Sequence, residues 1–153
     1  MLFRSILYMP LGSVNNDYYG KDRPGPNLFA NSIVAVEAET GKLKWYFQAI
    51  HHDLWDYDMP IPPVLFDVTK DGKKIPAVGA MTKNTLLFIL DRETGKPIYP
   101  IEERPVPQGN MPGEYYSPTQ PFPVKPPPLV RTSFKYPDDL ADRKSTRLNS
   151  SHT

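Results

Sequence analysis

The chain has 153 residues, a net charge of +1, 19 prolines and no cysteine. That balance excludes thiol chemistry, disulfides and cysteine-based metal sites, and leaves no electrostatic case for nucleic acid or an anionic membrane surface. No apolar stretch approaches the roughly 20 residues of a membrane span, and the proline content leaves few helix-forming stretches, so the expected class is all-β with long loops.

Met1 to Leu11 is mildly apolar, but Arg4 interrupts it and Pro10 ends it. No cleavage-site pattern follows, so it does not read as a signal peptide. Ile6 to Met9 reads as a short strand, closed by Pro10 and Gly12. Ser13 to Asn31 is a polar loop rich in Asn, Asp, Gly and Pro, whose backbone groups need water or ligands as partners. Ser32 to Val36 is a second strand, β-branched at Ile33, Val34 and Val36. Glu39-Thr-Gly-Lys42 is a tight turn, with Gly41 free to take a positive φ. Leu43 to Gln48 is a third strand, and strict alternation puts Leu43, Trp45 and Phe47 on one face.

His51-His-Asp-Leu-Trp-Asp-Tyr-Asp58 follows at the end of that strand. It packs three carboxylates, two imidazoles and two aromatic rings into eight residues. Asp and His are rarely buried unless paired, and a solvated loop seldom needs a Trp between acids. A carboxylate beside an indole and a phenol suits a partly dry pocket, where it can accept a proton from a bound ligand. The alternative is a solvated loop with two aromatic anchors. Adjacent His51 and His52 point opposite ways on an extended chain, which argues against both binding one ion. Asp53, Asp56 and Asp58 lack the spacing and the glycine of an EF-hand loop.

Val64 to Val68 and Ile75 to Ala80 read as a hairpin turned by Lys70-Asp-Gly-Lys73. Thr85 to Asp91 is the most apolar strand, expected to be buried on both faces. The motif Ala35-x-Glu37-x-x-Thr40-Gly41-x-x-x-Trp45 then recurs as Ile89-x-Asp91-x-x-Thr94-Gly95-x-x-x-Tyr99. A repeat of this length, built from short strands, suggests propeller blades with the aromatic packed between neighbours. Two unrelated hairpins sharing a turn are the alternative. From Pro97 to Pro128 proline dominates, and Pro118-Thr-Gln-Pro121 and Pro123-Val-Lys-Pro126 have PxxP spacing. The interleaved Tyr115, Tyr116, Phe122 and Val124 favour an extended connection docked on the domain surface over a ligand for an aromatic groove. Residues 142–153 are polar and aperiodic and resemble the translation of a sequencing adapter, so they are set aside as a non-native tail and the chain, residues 1–141, as a partial domain.

Three blocks together resemble the pyrroloquinoline-quinone (PQQ) dependent dehydrogenases. They are Pro10-Leu-Gly-Ser-Val-Asn-Asn-Asp-Tyr-Tyr-Gly20, the stretch from Trp45 to Asp58, and Pro105-Val-Pro-Gln108 with Ser117-Pro-Thr-Gln-Pro-Phe122. The likeness runs from about Ile6 to Pro128. It is closest to the glucose-dehydrogenase-like branch, through the double His and the Ser-Pro-Thr-Gln-Pro-Phe block.

The resemblance implies an eight-bladed β-propeller, of which this piece supplies about two blades. It implies PQQ and Ca²⁺ as cofactors and a sugar or alcohol as substrate. It implies ubiquinone or cytochrome c as electron acceptor and a periplasmic location. Carried over position by position, Asp56 corresponds to the general base. Lys83, in Met81-Thr-Lys-Asn-Thr85, corresponds to the basic residue at the quinone carbonyls. Asn15 corresponds to an oxygen ligand of Ca²⁺, with Asn16 the alternative if the loop carries a one-residue gap. The competing expectations are a non-catalytic propeller used for binding or outer-membrane assembly, and a proline-rich interaction segment on a small β domain. A scaffold would not need the octet together with Lys83.

Overall fold

A computed structural model describes residues 5–133 and 135, so the expectation for residues 142–153 lies outside the described residues. Among the described residues, eight strands form three antiparallel sheets. Strands β1 (Ile6–Pro10), β2 (Ser32–Glu37) and β3 (Leu43–Gln48) make the first, in that order. Strands β4 (Val64–Lys70), β5 (Lys73–Met81) and β6 (Leu87–Asp91) make the second. Strands β7 (Ile101–Pro105) and β8 (Thr119–Pro123) pair as a third.

The hairpins turn where small or amide residues allow a left-handed backbone. Asp71 and Gly72, at φ of 51° and 72°, close the β4–β5 hairpin with Lys70 opposite Lys73. That is the two-residue turn whose twist matches the flanking strands. The repeated Thr-Gly motif makes the same turn twice. Gly41 and Gly95 have φ of 69° and 72°. Gly41 N–H donates to the Glu37 carbonyl and Gly95 N–H to the Asp91 carbonyl, each at 2.8 Å. The acid earns its place differently in the two copies: Thr40 Oγ1 donates to the Glu37 carboxylate at 2.7 Å, whereas Asp91 Oδ1 accepts the N–H groups of Glu93 and Thr94.

The core lies between the first two sheets, as facing blades require. Ile33, Ala35 and Trp45 meet Val78, Phe88 and Leu90 there. Trp45 packs on Gly95 so closely that a Cβ at that glycine would sit 2.7 Å from the indole. Its Nε1–H donates to the Arg92 carbonyl at 3.2 Å, and Tyr8 Oη donates to the same oxygen at 2.7 Å. In the first copy of the motif the aromatic, Trp45, therefore docks between neighbouring sheets, whereas Tyr99 of the second copy lies under the Lys70 ammonium; burying one ring the size of Trp45 is worth about 1.5–3 kcal/mol.

Two expectations are modified. Leu43 does not share a face with Trp45. A bulge between Ala35 and Val36 sets Ala35 opposite Trp45 but Val36 opposite Leu43, so Lys44 is the extra residue and Leu43 swings out to 45% exposure. In β6, Phe88 and Leu90 are fully buried while Leu87 and Ile89 are only half-buried, so one face is dry and the other is not. Thr85 falls outside the strand, in a turn at φ 65°.

Within the proline-rich stretch the chain pairs as well as extends. Pro121 and Pro123 lie two apart in β8, so the missing N–H groups fall on one edge and Gln120 and Phe122 carry the ladder to β7. Ile101 and Phe122 then pack against the core.

Candidate functional site

The octet leaves β3 and crosses toward β4, and its histidines and aspartates meet different surroundings. His51 and His52 do diverge, though not by strand alternation, since they lie beyond β3 and His52 takes a left-handed backbone at φ 44°. The His51 ring lies 2.9 Å from Gln48 Oε1 and 3.1 Å from Glu103 Oε1. Its backbone is clamped by Gln120, whose Oε1 accepts the His51 N–H at 2.8 Å and whose Nε2 donates to the His51 carbonyl at 2.7 Å. His52 is buried. Its Nδ1 is 2.7 Å from the Gly25 carbonyl and its Nε2 faces Glu114 Oε1 at 3.7 Å, longer than a hydrogen bond.

Asp53 is also buried, and it organises the loop. Its two oxygens accept the N–H groups of Trp55 at 2.9 Å and Tyr57 at 2.7 Å, the Asn31 amide at 2.9 Å and the Ser13 hydroxyl. With its lone pairs taken by structural donors, Asp53 is not available as a proton acceptor.

Asp56 and Asp58 are different. They are 27% and 29% exposed, and both hold the ammonium of Lys83, at 2.7 Å and 2.8 Å. Asp56 reaches this position through a left-handed backbone, φ 57°, which Asp tolerates better than most residues. Lys83 stands on the tight turn after β5, where Thr85 N–H donates to the Thr82 carbonyl at 2.8 Å. Asp56 first and Asp58 second raise the Lys83 pKa above the ordinary lysine value, so the side chain is a fixed cation. Burial would raise the Asp58 carboxyl, but the Lys83 ammonium, then the Ser13 N–H and Asp56, outweigh it and hold it below the usual range.

A cavity of about 440 Å³ opens beside this cluster, lined by Ile50, Trp55, Tyr57, Asn84, Leu86 and Phe122 among others. A second, of about 330 Å³, is lined by Tyr57, Lys83, Asn84 and Thr85 and by the segment from Val130 to Ser133. Tyr57 and Asn84 form the wall between them. The Trp55 and Tyr57 rings stack at 5.7 Å and 24°, giving the first cavity a flat aromatic side. An ammonium has three donors. Two are engaged by carboxylates here, and among the described residues the third meets no further protein acceptor.

The structure thus brings Asp56 and Lys83 together and leaves Asn15 apart from them. Asn15 is exposed and, among the described residues, makes no side-chain hydrogen bond. Its loop does reach the cluster, since the Ser13 N–H donates to Asp58 Oδ1 at 2.7 Å. No group of three or more His, Asp or Glu side chains suited to a metal occurs among the described residues. Reading the sequence missed Asp58 as a partner of Lys83; the spacing of two residues from Asp56 was the available signal.

The family model for the glucose/ethanol/alcohol dehydrogenase β-propeller domain, PQQ type, matches residues 3–150. Quinoprotein glucose dehydrogenase from Gluconobacter oxydans is 52% identical over 120 residues, and that from Escherichia coli is 46% identical over 118. These alignments cover 77% and 76% of this chain but only 15% of each relative, so the chain spans about 15% of the length of the curated relatives it matches. The solved quinohemoprotein alcohol dehydrogenase of Comamonas testosteroni superposes with a TM-score of 0.58 at 31% identity, covering 78% of this chain and 18% of that one. With its repeated blade turn, its facing antiparallel sheets and this match along almost its whole length, the chain belongs to the PQQ-dependent quinoprotein dehydrogenase family.

Proposed function

We propose that this chain forms part of a PQQ-dependent dehydrogenase that oxidises a glucose-like sugar or an alcohol, with Asp56 as general base and Lys83 as the cation at the quinone. The observation that carries the proposal is the Lys83 ammonium, held between Asp56 and Asp58 at a cavity that shares its Tyr57 and Asn84 wall with the aromatic-sided cavity of Trp55. The residues fit the cofactor. A stacked aromatic pair, whose Tyr57 also lines the cavity that holds the Lys83 ammonium, suits a planar quinone bearing carbonyl oxygens. When bound, PQQ supplies the acceptor for the hydride.

The chain's own residues do the rest. Lys83 engages Asp56 Oδ2, and the second oxygen of Asp56 receives the hydroxyl proton as hydride leaves the carbon. The fixed charge of Lys83 would hold an oxygen of the bound cofactor and would favour negative charge there. Trp55 and Tyr57 narrow the space and exclude water from one side of it. Asn15 is proposed as one oxygen ligand of Ca²⁺. That ion takes six to eight ligands, and the described residues do not complete such a set. The 52% identity to a quinoprotein glucose dehydrogenase supports the sugar as substrate. Passage of electrons to ubiquinone or cytochrome c, and a periplasmic location, belong to the same proposal. A propeller used only for binding would have no need to hold an ammonium between two carboxylates at a cavity.

The test is Asp56→Asn in the full-length protein that carries this segment. Asn keeps the shape and can still hydrogen-bond, but it cannot accept the proton. Turnover per folded, PQQ-loaded molecule is expected to fall about 10²–10⁴-fold, with the unfolding curve little changed. Retention of more than about a tenth of the turnover would remove Asp56 as the base.

A further inference from the structure

We infer that Asp58 is a positioning residue, a rigid bracket that aims the Lys83 ammonium, and that it ties the loop after β1 to the quinone side of the site. The inference rests on the proposed function for its catalytic consequence, but its geometry stands independently. Lysine carries its charge on a flexible four-carbon stem, so one ion pair with Asp56 does not define where the third donor points. Asp58 supplies the second point of attachment, at 2.8 Å.

Asp58 is itself held from three sides. Its Oδ1 accepts the Ser13 N–H at 2.7 Å. Its backbone carbonyl accepts the Lys83 N–H at 2.9 Å, so the residue binds Lys83 at both ends. Gly12 lets the chain come this close, since a Cβ there would lie 2.7 Å from Asp58 Oδ1. A carboxylate anchored by one oxygen to a backbone N–H presents the other in a fixed place. With Asp56 on one side and Asp58 on the other, the stem of Lys83 has little freedom left. The cluster carries one net negative charge, so the ammonium is kept protonated without fully neutralising Asp56. Asp53, which stands closest in sequence, takes no part because its oxygens are occupied by loop donors.

Two variants and two readouts test this. In the apo full-length protein, acetylation of Lys83 by acetic anhydride is followed by mass spectrometry, with exposed Lys42 as internal reference. Asp58→Asn is expected to make Lys83 react several-fold faster relative to Lys42, because an ammonium that loses a carboxylate releases its proton more readily. Gly12→Ala leaves every charge in place but displaces Asp58, and it is expected to act in the same direction. In the PQQ-loaded enzyme, Asp58→Asn is expected to lower kcat about tenfold or more with the sugar KM within about twofold, because the cation acts on charge present in the transition state. In a Lys83→Ala background, Asp58→Asn should change kcat no further, since its effect passes through Lys83.

Unchanged Lys83 labelling in folded Asp58→Asn and Gly12→Ala proteins would overturn the bracket. An equal loss of kcat from Asp58→Asn with and without Lys83 would overturn its action through Lys83. Near-normal turnover of Lys83→Ala would instead bring down the proposed role of Lys83 in catalysis, while faster labelling in the two variants would still uphold the bracket.

Discussion

Three aspartates within six residues do three separate things, and their surroundings decide which. Asp53 is 3% exposed and collects donors from four residues, two of them backbone N–H groups of its own loop. Asp58 faces a backbone N–H with one oxygen and an ammonium with the other. Asp56 engages the ammonium through Oδ2 alone. Removing the charge of Asp53 leaves buried N–H groups facing an amide that cannot accept from all of them. Asp53→Asn is therefore expected to cost about 1–3 kcal/mol of stability, seen as a lower urea midpoint at unchanged slope. Asp56→Asn should leave the same midpoint nearly where it is. Residue types alone pointed to the octet, and the family resemblance singled out Asp56 and Lys83. The division of labour was not legible, because it depends on the left-handed backbone at Asp56, which sequence alternation does not foretell.

At the level of elements, the strands with β-branched or alternating residues were readable, and so was the repeated Thr-Gly turn. Leu43 was misplaced because a bulge shifts every residue beyond it to the opposite face, and nothing local in Leu43-Lys-Trp45 announces the extra residue. Strands β7 and β8 were obscured by Pro105, Pro121 and Pro123, which are admissible only because a two-stranded sheet has an outer edge on each strand. The docking of Trp45 onto Gly95 joins the first two sheets, and the two motif glycines offer an internal control for it. Both sit at nearly the same positive φ, but a Cβ at Gly41 meets nothing within 4 Å while one at Gly95 strikes the indole. Gly41→Ala should cost about 1 kcal/mol for the backbone alone. Gly95→Ala should cost a further ~1–3 kcal/mol from overpacking, measured as the difference between the two urea midpoints multiplied by the common slope. Equal losses for the two variants would mean that the indole yields freely and that the sheets are not locked at this contact.

For the whole molecule, the sheets leave apolar surface that blades normally cover. Val64 and Leu65 on β4 are 60% and 52% exposed, on the outermost strand of the second sheet. In the proposed setting, neighbouring blades of a longer quinoprotein cover that strand, and the cavity beside Trp55 and Tyr57 is closed by parts that this chain does not supply. In that setting residues 6–128 carry the proton acceptor and the quinone-side cation of the enzyme. The most direct measurement replaces the matching segment of Gluconobacter oxydans quinoprotein glucose dehydrogenase, to which this chain is 52% identical, with residues 6–128. Glucose-dependent dye reduction is then measured per folded, PQQ-loaded molecule. Turnover within about tenfold of the unaltered enzyme is expected, since conservative exchanges outside the acid–base pair should each cost far less than a lost general base. A chimaera that folds and binds PQQ but reduces no dye above the rate without enzyme would contradict it.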